Sequence, residues 1–518
     1  MNDAICRQID GAVDRRGQAG AGLGRLLVCF LGASILVTAC SGSPAPDSRP
    51  NVLLITVDTL RADRLSCYGY EGHQTPHMDA LAASGALFET AFCDVTWTTP
   101  SMASVMTGTY ATVHGMKVTP QRLDPGNLTM AEILSEHGYT TAAIIGSLPL
   151  DSIWGLDQGF AFYDDEFTTP LVLTDNAEDL RHVESEFSED PDEMRKMVWQ
   201  KSRNDGRRTD PEVTAAAFGW METMLQEPFF LWVHYFGPHS RPDRRQSYLE
   251  NAARHCREYD GYIRETDIEI GRLLARVAAL GLDANTLVVF HSDHGESLGE
   301  HKVVGHGKNL LEPTLRIPLI VSFPGRVGQG IRVTGLARNV DLLPTILDFA
   351  DIEQPQGLDG ESLAPAIGLE GETKTRLLPP ERSMYAETYQ PTQALFARHV
   401  TLPDGSKTKV GIAHQGVRTP EWKLVRTHPV PFSGRDAETY PEAPPSVLDD
   451  FHTEMLFTLR EDPAELDDVS GEQSEMALLL RAVLDQFLES EQRGLRAEKI
   501  AIDQETRDRL RALGYASE

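Results

Sequence analysis

Cysteine is scarce in this chain. Of the six present, only Cys67, Cys93 and Cys256 lie beyond Cys40, which permits one disulfide bridge at most and matches no zinc-ligand spacing. A disulfide-stapled scaffold is thereby excluded, and the three scattered thiols read as small buried side chains. Positive charge is short as well: 48 Lys and Arg face 77 Asp and Glu, a formal net charge of -29. No Lys/Arg cluster interrupts that balance strongly enough to form a groove for a phosphate backbone, so nucleic acid is not an expected partner. The acidity itself speaks to a solvated surface rather than to a fold. Internal repeats are absent. So is any apolar run of membrane-spanning length, because "LLVCFLGASILVTAC" is too short and too quickly followed by polar residues.

That run has another reading. Arg15, Arg16 and Arg25 precede it, and positive charge before a short apolar stretch is the order of a secretory signal peptide. Its end, Val37-Thr38-Ala39-Cys40, resembles a bacterial lipobox. Residues 1–39 are then a leader, Cys40 carries lipid, and residues 40–50, with "SGSPAPDSRP", form a flexible tether. The expected location is the bacterial cell envelope, with the membrane reached through the lipid.

With 41% hydrophobic residues in 518, the chain has ample material for a large core and exceeds the usual single domain. From Asn51 short apolar runs alternate with helix-length amphipathic stretches, the pattern of a mostly parallel sheet covered on both faces. "NVLLITVD" ends at Asp58, "PFFLWVH" at His234, and "TLVVFHSDHGE" runs into Asp293 and His294. Thr75-Pro76 opens a helix that Gly85 stops. In "YDGYIRETDIEIGRLLARVAALG" the residues Ile263, Ile270, Leu273, Leu274 and Val277 fall near helical spacing. Residues 164–208 turn charged and read as an excursion outside the core. From about Glu381 the runs shorten, with Pro and Gly between them, so residues 51–380 are read as one large domain. Residues 381–518 are read as a smaller antiparallel domain ending in a helical tail.

Asp58, His234 with His239, and Asp293-His294 each follow a different apolar strand. In open parallel sheets ligands bind beyond the carboxyl ends of strands, so groups far apart in sequence converge there. One strand-end Asp usually caps a turn. Two acids and an imidazole on separate strands instead suit a single divalent cation with hard oxygen ligands, calcium foremost, with magnesium or manganese as alternatives.

The stretches "NVLLITVDTLRADRLSCYGY", "TTPSMASVMTG", "PFFLWVHYFGPH", "SDHGESLGEH", "HGKNLLEPTLRIPLIVSFPG" and "LFTLREDPAELDDVS" resemble, in order, the sulfatase family of the alkaline phosphatase superfamily. The resemblance implies an α/β, alkaline-phosphatase-like doubly wound sheet with a smaller C-terminal antiparallel α+β domain. It also implies ester hydrolysis at one metal ion. It places Asp58, Asp293 and His294 on metal-ligand positions, Thr98 on the nucleophile, and His239 and Lys308 on groups that contact the sulfate or the leaving oxygen. Ser101, His234 and His306 are the expected substrate-binding residues. Where the family often has two adjacent acids, this chain has Asp58-Thr59. Where the family has Cys or Ser, any residue, Pro, Ser, Arg, it has Thr98-Thr99-Pro100-Ser101-Met102. The later "GKWH" is replaced within "TTAAIIGSLPLD".

Threonine has no route to formylglycine, the residue active sulfatases make from that Cys or Ser, so their usual chemistry does not carry over. A threonine at a helix mouth, with Pro100 as the expected first helical residue, still faces unpaired amides that favour an anion. Three classes stay open: a sulfatase, a threonine-nucleophile phosphodiesterase or phosphotransferase, and a non-catalytic binding protein on the same scaffold. In the bland alternative Thr98 or Thr99 caps the helix while Met102, Val105 and Met106 bury its apolar face. The substrate is a small-molecule or glycan sulfate or phosphate ester; the oligomeric state is not legible.

Overall fold

Asn51–Val57 and Thr286–Ser292 are strands in which every residue is buried. Continuous Val, Leu and Ile without polar alternation have this outcome, since both faces must be covered. The computed structural model describes residues 49–118, 121–167, 207–239, 248–369, 374–389, 398–401, 407–430, 452–490 and 494. The expected leader, Cys40 and most of the tether lie outside these, as do most of the charged 164–208 segment and the end of the helical tail.

Nine strands make the central sheet: β1 Asn51–Val57, β2 Ala86–Phe88, β3 Thr140–Ile145, β4 Phe162–Asp164, β5 Phe229–Tyr235, β6 Thr286–Ser292, β7 Leu319–Ser322, β8 Ile331–Thr334 and β9 Thr375–Leu377. Their spatial order is β9-β8-β2-β7-β6-β1-β5-β3-β4. All pairings are parallel except those of β7, which runs antiparallel to β6 and to β2. The alternation of β1 feeds two cores. Val52 and Leu54 pack with Trp232 and Val289 on one face; Leu53, Ile55 and Val57 pack with Leu231 and Phe290 on the other.

Helices cover both faces, which makes the sheet doubly wound. On the second face lie α1 (Pro76–Ser84), α3 (Asp210–Thr223) and α4 (Tyr248–Ala279); on the first lie α2 (Thr98–Thr107) and α5 (Leu342–Phe349). Helix α1 begins after Thr75 and stops at Gly85, as expected, although the Thr75 hydroxyl turns to Ser66 and Asp79 instead of capping. In α4, Ile263, Ile270, Leu273 and Val277 are buried, with Leu274 beside them. Cys67 and Cys93 are unpaired thiols, and burial pushes the Cys67 thiol up to about 12.

The register does the positioning. Val57 of β1 lies opposite Tyr235 of β5 and Ser292 of β6, so Asp58 and Asp293 are the first residues beyond two neighbouring strands. His234 sits one rung before the end, opposite Thr56.

A second sheet, all antiparallel, comprises β10 Met384–Tyr389, β11 Arg398–Thr401, β12 Lys407–Arg418, β13 Trp422–Val430 and β14 Thr453–Thr458, followed by α6, Ser474–Ser490. Glu312 fixes it to the first sheet: its carboxylate takes two bonds from Arg418 (2.9 and 3.1 Å) and one from Lys423 (3.3 Å). Burial alone would raise its pKa, but the two cations outweigh burial and hold it at about 2. The Glu387 amide of β10 donates to the carbonyl of Asp94 (2.8 Å), just ahead of α2.

Candidate active site

Helix α2 begins at Thr98 rather than at Pro100, with Trp97 in extended conformation as its N-cap and no side-chain capping bond. Neither threonine is a cap. Thr99 donates to the carbonyl of Pro149 (2.6 Å), tying α2 to the segment that replaces "GKWH". Thr98 Oγ1 turns the other way, to His294 Nε2 at 3.1 Å and Asp58 Oδ2 at 3.5 Å. Met102, in the position of the family's arginine, is fully buried in the apolar layer with Leu148 and Leu150.

The hydrogen bonds identify the protons. His294 Nδ1 lies 2.9 Å from the carbonyl of Gly295, which only accepts, so Nδ1 carries hydrogen and Nε2 presents a lone pair in the neutral ring. That Nε2 is also 3.4 Å from Asp293 Oδ2. Asp293 Oδ1 is held by the amides of Thr59 (3.0 Å) and His294 (2.8 Å). Ser292 braces the turn: its hydroxyl lies 2.7 Å from the carbonyls of Val57 and of His294, either of which can take its single hydrogen, and it accepts from the Leu60 amide.

These groups fit one cation. Asp58, Asp293 and His294 each offer a ligand atom, all within 4.8 Å of one another and all buried. Asp58 Oδ1 and Asp293 Oδ2 are buried without a hydrogen bond, a costly state for carboxylate oxygens unless a positive charge faces them. In the bare protein burial, then Asp293 and Glu296, push the Asp58 carboxyl well above its ordinary range. Two oxygen ligands and one nitrogen match a hard or borderline divalent ion.

Around this centre lie the other expected residues. His234 bonds Thr56 Oγ1 through Nδ1 (2.7 Å), and its Nε2 is 3.6 Å from Asp58 Oδ2; burial drops its pKa to about 4 and keeps it neutral. His306 lies tilted at 4.5 Å from the His294 ring and bonds Glu296 through Nδ1 at 3.2 Å. His239 lies against Phe236 (4.4 Å) and edge-on to His306 (5.1 Å). Lys308 donates to the carbonyl of Val304 (2.6 Å), and burial lowers its pKa. Gly307 has φ +70°, and a Cβ there would meet the Trp97 ring at 2.1 Å; glycine is what lets the His306-Gly307-Lys308 turn approach α2. Ser101 is bonded within the protein: it donates to the carbonyl of Asp293 (2.6 Å) and accepts from Asn339 (3.3 Å).

Several site-building residues carried no sequence signal. Asn339 also donates to Asp94 Oδ1 (2.7 Å), Ser104 donates to Asp94 Oδ2 (2.7 Å), and Ser104 meets His114 Nε2 (2.9 Å). This buried chain ties α2 to Asp94, His114 and Asn339. Asp94, Ser104 and His114 stand ten residues apart, a spacing that carries no motif, and Asp94 and Asn339 are 245 residues apart. Glu296 sits in the quoted "SDHGE", and that stretch was its available clue.

A buried hydroxyl beside a cation-ligand cluster, at the carboxyl edge of a doubly wound sheet, defines an α/β fold of the alkaline phosphatase kind. Residues 50–352 match the family model described as Sulfatase, and residues 299–431 match that of the N-sulphoglucosamine sulphohydrolase C-terminal region. The chain belongs to the sulfatase family of hydrolases. It is 29% identical to an ulvan-active sulfatase of Formosa agariphila over 62% of this chain and 65% of that one, so the match spans just under two thirds of that relative. A protein solved in complex with its substrate D-glucosamine-2-N,6-O-disulfate has TM-score 0.62 at 19% identity, covering 86% of this chain and 98% of the other. A phosphonate monoester hydrolase of Agrobacterium radiobacter has TM-score 0.60 at 19% identity, covering 86% and 96%.

Proposed function

We propose that this protein is a metal-dependent hydrolase of phosphate, phosphonate or sulfate esters in which Thr98 is the nucleophile. The observation that carries the reading is the placement of Thr98: it is not a helix cap, and its hydroxyl lies 3.1 Å from His294 Nε2 and 3.5 Å from Asp58 Oδ2. A divalent cation held by Asp58, Asp293 and His294, with calcium, magnesium and manganese all chemically suited, would supply Lewis acidity that favours the alkoxide. The amides of the first turn of α2 favour the anionic group. The Thr98 hydroxyl gives its proton to Asp58 Oδ2, to which it donates, Oγ1 bonds to phosphorus or sulfur as the bond from that atom to the ester oxygen breaks, and His239 and Lys308 are the proton donors to the departing oxygen. Water then cleaves the Thr98 adduct and restores the hydroxyl.

Formylglycine sheds its sulfate by elimination through a second hydroxyl, which threonine lacks. A threonine adduct must be released by attack at the central atom, and phosphoryl transfer is the better precedent. The cation-loaded protein is therefore expected to turn over p-nitrophenyl phenylphosphonate or bis-p-nitrophenyl phosphate faster than p-nitrophenyl sulfate. Faster sulfate cleavage would overturn the preference. No cleavage of any of the three would favour a binding protein on the scaffold, for which burial of Met102 in place of an anion-binding arginine is the supporting observation. The natural substrate class is a small-molecule or glycan ester, in line with the ulvan activity of one relative and the glucosamine disulfate bound by another.

We further propose that Cys40 anchors the chain to the bacterial envelope, on the strength of Arg15, Arg16 and Arg25, the short apolar run and Val37-Thr38-Ala39-Cys40. Mass spectrometry of the membrane fraction should find a lipidated peptide beginning at Cys40, and Cys40→Ala should abolish it. An unmodified Cys40 inside a longer N-terminal peptide would sink the idea.

A further inference from the structure

Thr59 is anomalous on two independent counts. Its φ is +56°, the left-handed region, where a β-branched side chain is a genuine outlier. Its hydroxyl is buried and makes no hydrogen bond. Strain of this kind costs about 1–3 kcal/mol and persists only where surroundings impose it, most often at functional sites. The surroundings impose it here: the Thr59 amide donates to Asp293 Oδ1 (3.0 Å), and its carbonyl accepts from the buried Tyr259 hydroxyl (2.6 Å). Clamped at both ends, the residue cannot relax to negative φ without releasing Asp293.

A clamp of that sort asks nothing of the side chain. Glycine would meet it without strain, and valine would meet it without an orphaned polar atom. The Thr59 hydroxyl satisfies no protein group, and like Asp58 Oδ1 and Asp293 Oδ2 it is a buried oxygen without a hydrogen bond; it belongs to the residue next to Asp58, whose amide bonds Asp293. Orphaned oxygens gathered beside carboxylates are what a hard cation requires, and neutral hydroxyl donors serve such ions elsewhere, as the P-loop Ser/Thr does for magnesium.

We propose that the Thr59 hydroxyl is a neutral oxygen donor to the cation held by Asp58, Asp293 and His294, and that the strained turn exists to present it. The proposal rests on the cation reading of that cluster. It makes Thr59 the position that tunes cation affinity: the ligand set carries the charge of two carboxylates, and a third carboxylate there would raise it.

The test is calorimetric titration of the full chain, stripped with chelator, with magnesium, manganese and calcium separately, alongside thermal unfolding of the cation-free protein. Thr59→Val keeps the branch and the shape but removes the oxygen. It should weaken cation binding by about 10- to 100-fold, the range seen when groups around a metal are removed, while leaving the cation-free melting temperature equal or higher, because an orphaned buried hydroxyl has become a methyl. Thr59→Ser should bind within about threefold of wild type, and Thr59→Asp should bind more tightly. If Thr59→Val binds all three ions as wild type does, or melts lower without the ion while binding unchanged, the hydroxyl is structural and the proposal fails. If wild type itself binds none of the ions, the cation reading fails first and takes this one with it.

Discussion

Thr98→Ala is expected to lower kcat by at least about a thousandfold on any ester the wild type cleaves, as loss of a covalent nucleophile does, with little change in melting temperature. Both halves follow from the geometry. The hydroxyl is the group that faces His294 Nε2 and Asp58 Oδ2, so nothing replaces it as attacking atom. The helix does not depend on it, because the N-cap is Trp97 and makes no side-chain capping bond. Apolar contacts of Met102, Val105 and Met106 hold α2 in the first core. Thr98→Ser should keep measurable turnover, since a primary hydroxyl occupies the same place. A stopped assay, with a search for a covalent adduct on residue 98, measures both. Undiminished hydrolysis by Thr98→Ala would show that water attacks directly and that Thr98 only lines the site.

Asp293→Asn should be as damaging to activity by a different route, and its stability signature is unusual. Removing this carboxylate charge leaves Asp58 as the one anionic group of the Asp58-Asp293-His294 cluster, so cation binding and turnover are expected to be lost together. Without cation the sign reverses. Burial, then Asp293 and Glu296, raise the Asp58 pKa in the folded protein. An acid whose folded pKa is raised stabilises the fold while protonated, and that stability is lost as pH rises through the folded value. Chelated wild-type protein should therefore melt lower at neutral than at mildly acidic pH. Asp293→Asn, which removes a charge facing Asp58, should flatten that dependence and melt above chelated wild type near pH 7. Saturating cation should restore wild type by mass action, about 2.7 kcal/mol at 100 times Kd, and leave the variant unmoved. Calorimetric scans with chelator and with cation, at both pH values, decide it; a variant that still gains stability from the ion would show that Asp293 is not a ligand.

Thr98 was singled out by motif and then by its own hydrogen bonds. Asp293 was singled out by its position after an apolar run, which became meaningful once β1 and β6 were seen to be neighbours in register. The α2 boundary was misplaced at Pro100 for a physical reason: proline at the first helical position is a strong local preference, but the turn here is closed earlier, with Ser101 N bonding the carbonyl of Trp97 (3.0 Å).

What the sequence determined by itself is what depends on local pattern. Uninterrupted Val, Leu and Ile runs required strands buried on both faces; Thr75-Pro76 and Gly85 bounded a helix; Ile263, Ile270 and Leu273 set a buried stripe. The polar residues ending the runs named Asp58, His234, Asp293 and His294 as candidates. Tertiary structure alone decided how those candidates meet, because strand order is not written in any one strand. It decided that β7 runs against its neighbours, that Ser101 braces the Asp293 carbonyl, and that Asn339 reaches Asp94 across 245 residues. It also decided the backbone at Thr59, which no residue preference predicts: a β-branched residue avoids positive φ, and only the simultaneous bonds to Asp293 and Tyr259 hold it there.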